Sequence, residues 1–223
     1  MMVTRAFDVS VLGPPGAGKG TQAARLASAF DLLHLSTGDL LRDEVARATF
    51  LGGEAQAFME RGELVPDELI AKMVLRWLHS QQGYLGCAYD GYPRTTQQAH
   101  LLDGLLAELN RRLDVVLFLN VPDDELVARN SGRRACQACG VVYHVANHPP
   151  AKEGVCDACG GELAQRNDDR EDVVRERLRA YRENADALLA LYKARGILRQ
   201  VNGVGTQDEV YRRLREAIRS VKR

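Results

Sequence analysis

The stretch Gly13-Pro14-Pro15-Gly16-Ala17-Gly18-Lys19-Gly20-Thr21 constrains this chain more than any other. It follows a short apolar run, Phe7-Asp8-Val9-Ser10-Val11-Leu12, that suits a strand, and it precedes Ala23, Ala24, Leu26, Ala27 and Phe30 at helical spacing. Strand, glycine-rich loop and helix in that order make a cradle for an anion. The glycines let consecutive backbone N–H groups converge, the helix start adds its positive end, and Lys19 reaches the terminal phosphates of a nucleoside triphosphate. Gly16, Ala17, Gly18, Lys19, Gly20 and Thr21 are therefore the candidate triphosphate contacts. An ordinary glycine-rich turn is the bland alternative, and the lysine and helix in the right order outweigh it. One departure from the usual pattern stands out: Gly20 follows the lysine, and the hydroxyl comes one place later on Thr21. Direct Mg²⁺ ligation by that hydroxyl is left open.

At 223 residues the chain is long for one domain and short for two full ones, which fits one core carrying inserted subdomains. Thirty basic residues balance thirty acidic ones, so no global field gathers nucleic acid or an anionic membrane. No run approaches transmembrane length, and the first residues lack the apolar core of a signal peptide, so the expectation is a cytoplasmic protein. In that reducing compartment five cysteines point to metal ligands or free thiols.

Phe7–Leu12, Leu32–Leu35, Leu85–Tyr89, Val115–Val121 and Ile197–Val201 are candidate buried strands separated by helix-compatible sequence. The alternation predicts an α/β fold with a parallel sheet covered on both faces and ligands at the carboxyl ends of its strands. Two stretches break it. Ser36–Pro66 reads as short helices with a break at Gly52-Gly53, and Arg133–Asp169 is rich in Gly, Cys and Pro. The second carries Cys136-Gln137-Ala138-Cys139-Gly140 and, sixteen residues after Gly140, Cys156-Asp157-Ala158-Cys159-Gly160. Paired knuckles of this kind present four thiolates to one ion, and because they leave no open position for water the expected metal is a structural zinc. A redox pair is the rival, disfavoured by the matched doubling inside an insertion. His144 and His148 read as surface or packing residues, and Cys87 as a small buried hydrophobe.

Asp90 closes the third strand segment beside Gly91, and although Asp-Gly is a turn signal, its place at a strand end beside a phosphate loop favours a carboxylate serving Mg²⁺ or its waters. Arg129, Arg133 and Arg134 precede the cysteine insertion, and Arg166, Arg170, Arg175 and Arg177 follow its knuckles; most arginines of this kind are solvated or ion-paired, and those at the insertion's ends could close onto a ligand.

GPPGAGKGTQ, STGDLLR, DGYPRT, GRR and RNDDREDVVRERL, in this order and spacing, resemble adenylate kinase over essentially the whole chain, in the long-lid form whose lid holds zinc. The resemblance implies a P-loop fold: a five-stranded parallel sheet with helices on both faces, formed by 1–36, 67–131 and 170–223, and two mobile insertions. Residues 37–66 would bind AMP and 132–169 would form the lid. It implies that Lys19 contacts the triphosphate, that Arg129 stacks on the ATP adenine with Gly203 nearby, and that Thr37, Arg42, Val65, Gly91, Arg94 and Gln98 hold AMP. Arg42 and Arg94 would take its phosphate and Gln98 its adenine edge; the family often has a lysine where Glu63 stands here. Arg133, Arg166 and Arg177 would clamp the transferring phosphoryl group, and Asp168 and Asp169 would help the lid close. ATP, AMP and ADP are the implied partners, with Mg²⁺ accompanying ATP, no nucleic acid or membrane, and a monomer. A kinase for another nucleoside monophosphate and a zinc-ribbon nucleic-acid binder are the alternatives; the latter calls for a basic domain, whereas the formal net charge is +0.

Overall fold

The computed structural model describes residues 7–61, 63, 65–81, 86–166 and 169–220. In chain order the elements are β1 (Phe7–Leu12), α1 (Lys19–Phe30), β2 (Leu33–Ser36), α2 (Thr37–Ala46), α3 (Phe50–Arg61), α4 (Asp67–Ser80), β3 (Gly86–Asp90), α5 (Thr96–Glu108), β4 (Leu113–Asn120), α6 (Asp123–Ser131), β5 (Arg133–Cys136), β6 (Val142–His144), β7 (Leu163–Ala164), α7 (Glu171–Ala194), β8 (Leu198–Asn202) and α8 (Gln207–Arg219). The five predicted strands pair in parallel in the order β2-β3-β1-β4-β8. The first matches the expected Phe7–Leu12 at both ends; the third was expected to begin at Leu85, which lies outside the described residues, and the remaining observed edges differ by one or two residues.

Both faces of the sheet are buried, as a parallel sheet requires. On one face Val9, Val11, Val115, Leu117 and Leu119 pack with Ala23 and Leu26 of α1, Leu126 of α6 and Leu214 of α8. On the other, Leu35, Tyr89 and Val116 pack with Met73 and Val74 of α4 and Leu102 and Leu106 of α5. Helix α7 contributes to both, Val174 and Leu178 to the first and Leu188 and Tyr192 to the second. The polar residues of β1 are satisfied inside this core. Asp8 accepts from the Arg111 guanidinium and, at 3.1 Å, from the Tyr89 hydroxyl, while Ser10 donates to the Tyr92 carbonyl at 2.7 Å.

The expected break at Gly52-Gly53 is corrected by the structure. Both glycines lie inside α3, and the chain turns earlier, where Ala48 takes a left-handed φ of 49°. A Cβ on Gly52 would come within 2.1 Å of the Glu44 carbonyl oxygen, so this glycine lets α3 cross closely over the end of α2.

The cysteine-rich insertion folds as a small antiparallel sheet in the order β6-β5-β7. Among the described residues its buried cluster is Cys136, Tyr143, Cys156 and Leu163, too little apolar matter to hold a fold by itself.

Candidate active site

The glycine loop joins β1 to α1 at the carboxyl edge of the sheet. Gly16 and Gly18 sit at φ 84° and 88°, conformations open to glycine, and the Ala17 N–H donates to the Pro14 carbonyl at 3.1 Å. Helix α1 begins after Gly18 with no side-chain cap and no acidic residue in its first turn, so the turn's positive end is left for a ligand anion. The Lys19 ammonium arches back over the loop and donates to the Pro14 carbonyl at 2.9 Å. Burial pushes its pKa down to about 7; Asp90 opposes the shift, and Arg94, Arg177 and Arg133 reinforce it. One lysine thus feels three of the arginines implied to handle phosphate.

Asp90 ends β3 next to the loop. A Cβ on Gly20 would stand 3.0 Å from its Oδ2, which gives the departure from the usual motif a physical reason: the position after the lysine is kept small where the carboxylate leans over the helix start. A half-buried carboxylate beside the phosphate lysine fits a hydrated Mg²⁺ accompanying a triphosphate.

Gly91 follows with φ 63°, its N–H donating to the Val11 carbonyl at 2.9 Å and its carbonyl accepting from Arg94 Nε at 2.9 Å. A Cβ there would meet Lys19 Cε at 3.1 Å and an Arg94 terminal nitrogen at 3.7 Å. The lysine of the triphosphate cradle and the arginine expected on the acceptor phosphate therefore both come close to this glycine, in space that a side chain here would fill. Beyond it opens a cavity of about 470 Å³ whose lining includes Lys19, Thr37, Arg42, Val65, Gly91, Arg94, Gln98, Arg166 and Arg177. All the residues that sequence resemblance assigned to AMP line one space. Ser36 caps α2, accepting from the Asp39 N–H at 3.2 Å, and Thr37 and Arg42 of that helix line the cavity.

Other expected residues lie apart from this cavity. Arg129 donates to Glu125 at 2.9 Å and to the Gly203 carbonyl at 3.1 Å, so the two residues expected around the donor base touch one another. Arg133 makes a two-pronged pair with the buried Asp169. Asp168 lies outside the described residues. Arg170 and Arg175 pair with Asp172 and Glu171 on the exposed face of α7. Glu63, unlike these, lines the cavity; it accepts two bonds from Arg61 at 2.8 Å, which hold its carboxyl below the usual range and offset its charge.

The four knuckle cysteines converge, with all sulfurs within 4.8 Å of one another. Cys136 and Cys159 sulfurs are 3.5 Å apart and Cys139 and Cys156 3.6 Å, close to the ~3.8 Å edge of a tetrahedron with metal–sulfur arms of ~2.3 Å. The knuckles are built alike: Gly140 and Gly160 at φ 75° and 74° donate to the Cys136 and Cys156 carbonyls. Backbone N–H groups of Cys139 and Ala138 donate to the Cys136 sulfur and draw its thiol pKa down, a setting suited to a bound thiolate. His144 is engaged otherwise, its Nδ1 accepting from the Ala146 and Asn147 N–H groups at 3.1 Å, and His148 stacks on Tyr143. Cys87 is fully buried in the sheet core, where burial pushes its thiol pKa up.

Motif reading missed the residues that hold Gln98. Asp67, just after Pro66 at the start of α4, and Thr95, the cap of α5, both bond to one another and to Gln98. The only signal available was that each stands where a helix begins. Also missed was Tyr181 of α7, which lines the cavity with Val173 and Leu189.

A family model described as adenylate kinase matches residues 11–197. An adenylate kinase of Archaeoglobus fulgidus is 44% identical over 216 residues, 97% of this chain and 100% of that protein. One of Thermodesulfovibrio yellowstonii is 49% identical over 200 residues, 90% of this chain and 93% of that protein. One of Symbiobacterium thermophilum is 45% identical, covering 96% and 99%. No helix among the described residues is long and apolar enough to cross a membrane.

Proposed function

The chain belongs to the adenylate kinase family, and from that premise we propose how its residues divide the work of moving the terminal phosphoryl group of ATP to AMP, giving two ADP. The glycine loop and Lys19 hold the triphosphate, with Arg129 and Gly203 beside its base. Thr37, Arg42, Val65, Gly91, Arg94 and Gln98 hold AMP, Arg42 and Arg94 on its phosphate and Gln98 on its base. Arg133, Arg166 and Arg177 close over the group in transit. Residues 37–66 are read as the acceptor-binding subdomain and 132–169 as a lid on the core, in a cytoplasmic monomer.

An oxygen of the AMP phosphate attacks the terminal phosphorus of ATP, the bond from that phosphorus to the bridging oxygen breaks, and the departing diphosphate keeps the electron pair. The attacking oxygen is already ionised at neutral pH, so no general base is needed. What must be supplied is charge: the two nucleotides bring roughly six negative charges, and cations must offset their repulsion and stabilise a loose transition state. Asp90 would hold magnesium through its waters, and the ion would supply positive charge that offsets the triphosphate's. Water competes as nucleophile, so closure of the lid over the arginines serves to keep it out. The four cysteines hold zinc as a brace for the lid, outside the chemistry.

The observation that most supports this division is Gly91, beside which the triphosphate lysine and the acceptor arginine come together. The test is ADP formation measured with each nucleoside triphosphate and monophosphate in turn. Equal rates with AMP, CMP and UMP would remove Gln98 from base selection, and ATP hydrolysis in place of transfer would remove the acceptor site.

A further inference from the structure

Gln98 is 2% exposed, yet it lines the cavity with its side-chain amide engaged at both ends. The Arg94 backbone N–H donates to Oε1 at 2.7 Å, and Nε2 donates to Asp67 Oδ1 at 2.7 Å. Asp67 is itself held: its Oδ2 accepts from the Thr95 hydroxyl at 2.5 Å, and that hydroxyl accepts from the Gln98 N–H at 3.0 Å.

The oxygen and nitrogen ends of an amide have nearly the same shape, so the chemistry of their partners decides which end points where. A backbone N–H only donates and a carboxylate only accepts. Turning the Gln98 amide over would set its oxygen against the Asp67 carboxylate and its NH₂ against the Arg94 N–H, exchanging two hydrogen bonds for two repulsive contacts in a buried place. With the observed bonds made, one Oε1 lone pair and one Nε2 hydrogen remain, an acceptor and a donor in fixed order. A 6-aminopurine offers an amino donor beside the N1 acceptor. A 6-oxopurine offers a carbonyl acceptor beside an N1–H donor, the same positions with polarity reversed. Without the lock, an amide free to turn would satisfy either.

We infer that Asp67 is a specificity-determining positioning residue, locking the Gln98 amide in the orientation that accepts a 6-aminopurine monophosphate and rejects a 6-oxopurine one. This rests on the proposal that Gln98 faces the acceptor base, and the experiment separates the two. Asp67→Asn retains the size and an acceptor for Thr95, and its amide can donate to a turned Gln98 oxygen. The measurement is kcat/KM for AMP and for IMP, with ATP as donor, in the wild-type protein, Asp67→Asn, Gln98→Ala and the double variant, with melting temperatures alongside.

The AMP-over-IMP preference falls at least tenfold in Asp67→Asn, through KM for both acceptors moving in opposite directions more than through kcat. Asp67→Ala, which removes one of the two contacts that fix the amide and leaves only the Arg94 N–H to orient it, shifts the preference the same way and serves if Asp67→Asn does not fold. In the Gln98→Ala background, Asp67→Asn adds nothing further. A preference within twofold of wild type in a folded variant, or an equal loss for both acceptors, overturns the lock and leaves Asp67 a structural residue. If Gln98→Ala itself keeps the preference, the amide does not read the base, and both proposals fall.

Discussion

Arg133 and Asp169 grip each other across the two ends of the cysteine-knuckle insertion, the guanidinium bonded to both oxygens of a carboxylate that is 0% exposed. Arg133 opens β5, directly after α6, and Asp169 stands just before α7, so the pair pins the insertion at its point of attachment. The charge of Arg133 is also felt by Lys19, where it helps to lower the lysine's pKa.

The two partners are unequally buried, and that predicts an asymmetry. The Arg133 side chain is 23% exposed and can turn to water if Asp169 is lost, whereas Asp169 cannot. Arg133→Ala therefore strands a buried carboxylate and costs up to about 3 kcal/mol, while Asp169→Ala costs about 1 kcal/mol. Thermal melts of the two variants test this, and an equal or reversed order would show that the pair is not the clamp described.

Lys19→Met and Arg94→Ala each remove a positive charge beside Gly91, where donor and acceptor phosphates are proposed to meet. Each lowers turnover by at least about a hundredfold while the far-ultraviolet circular dichroism stays that of the wild type. Near-normal turnover in either folded variant would move the reaction away from this glycine.

Lys19 also sets a pH dependence. Its pKa in the folded protein is about 7, below the ordinary 10.5, with burial as the main cause. Between those values the unfolded chain binds the proton and the folded one does not, so stability contributed by this group rises with pH from about 7 and is lowest below it. A bound triphosphate favours the charged form and reverses the shift. Nucleotide binding at pH 8 accordingly takes up a proton, seen by calorimetry in buffers of different ionisation heat and absent in Lys19→Met. Uptake of the same size in that variant would assign the proton elsewhere.

What could be read from residues alone follows from how local the signal is. The phosphate loop, the five strands and the knuckles each announce themselves within about ten residues, through periodicity and spacing. Glycines mislead where their reason is a distant neighbour. Gly52 suggests a break, yet it serves contact with Glu44 inside a continuous helix, and Gly20 departs from the motif because Asp90, from another strand, leans over it. The lock on Gln98 is non-local for the same reason, since Asp67 is brought to it only by the packing of α4 against α5.

Two of the four residues in the insertion's buried cluster are cysteines of the proposed site, so without an ion this insertion has little besides Tyr143 and Leu163 to bury. Zinc binding energies of roughly 10–16 kcal/mol in isolated peptides exceed anything such a cluster provides. Chelation should loosen residues 133–166 first and leave the parallel sheet standing, because the sheet's two cores share no residue with the lid cluster. Cys139→Ser is a selective variant: Cys139, like Cys159 and unlike Cys136 and Cys156, is exposed, so its loss disturbs the ion with little damage to packing. Zinc content below one per chain, a lower melting temperature and faster amide exchange confined to the lid are expected, with turnover falling as far as lid closure is disturbed. Metal content, melting and turnover are measured on one sample. Complete loss of turnover on demetallation, with lid amides still protected, would mean that the ion acts on the substrate.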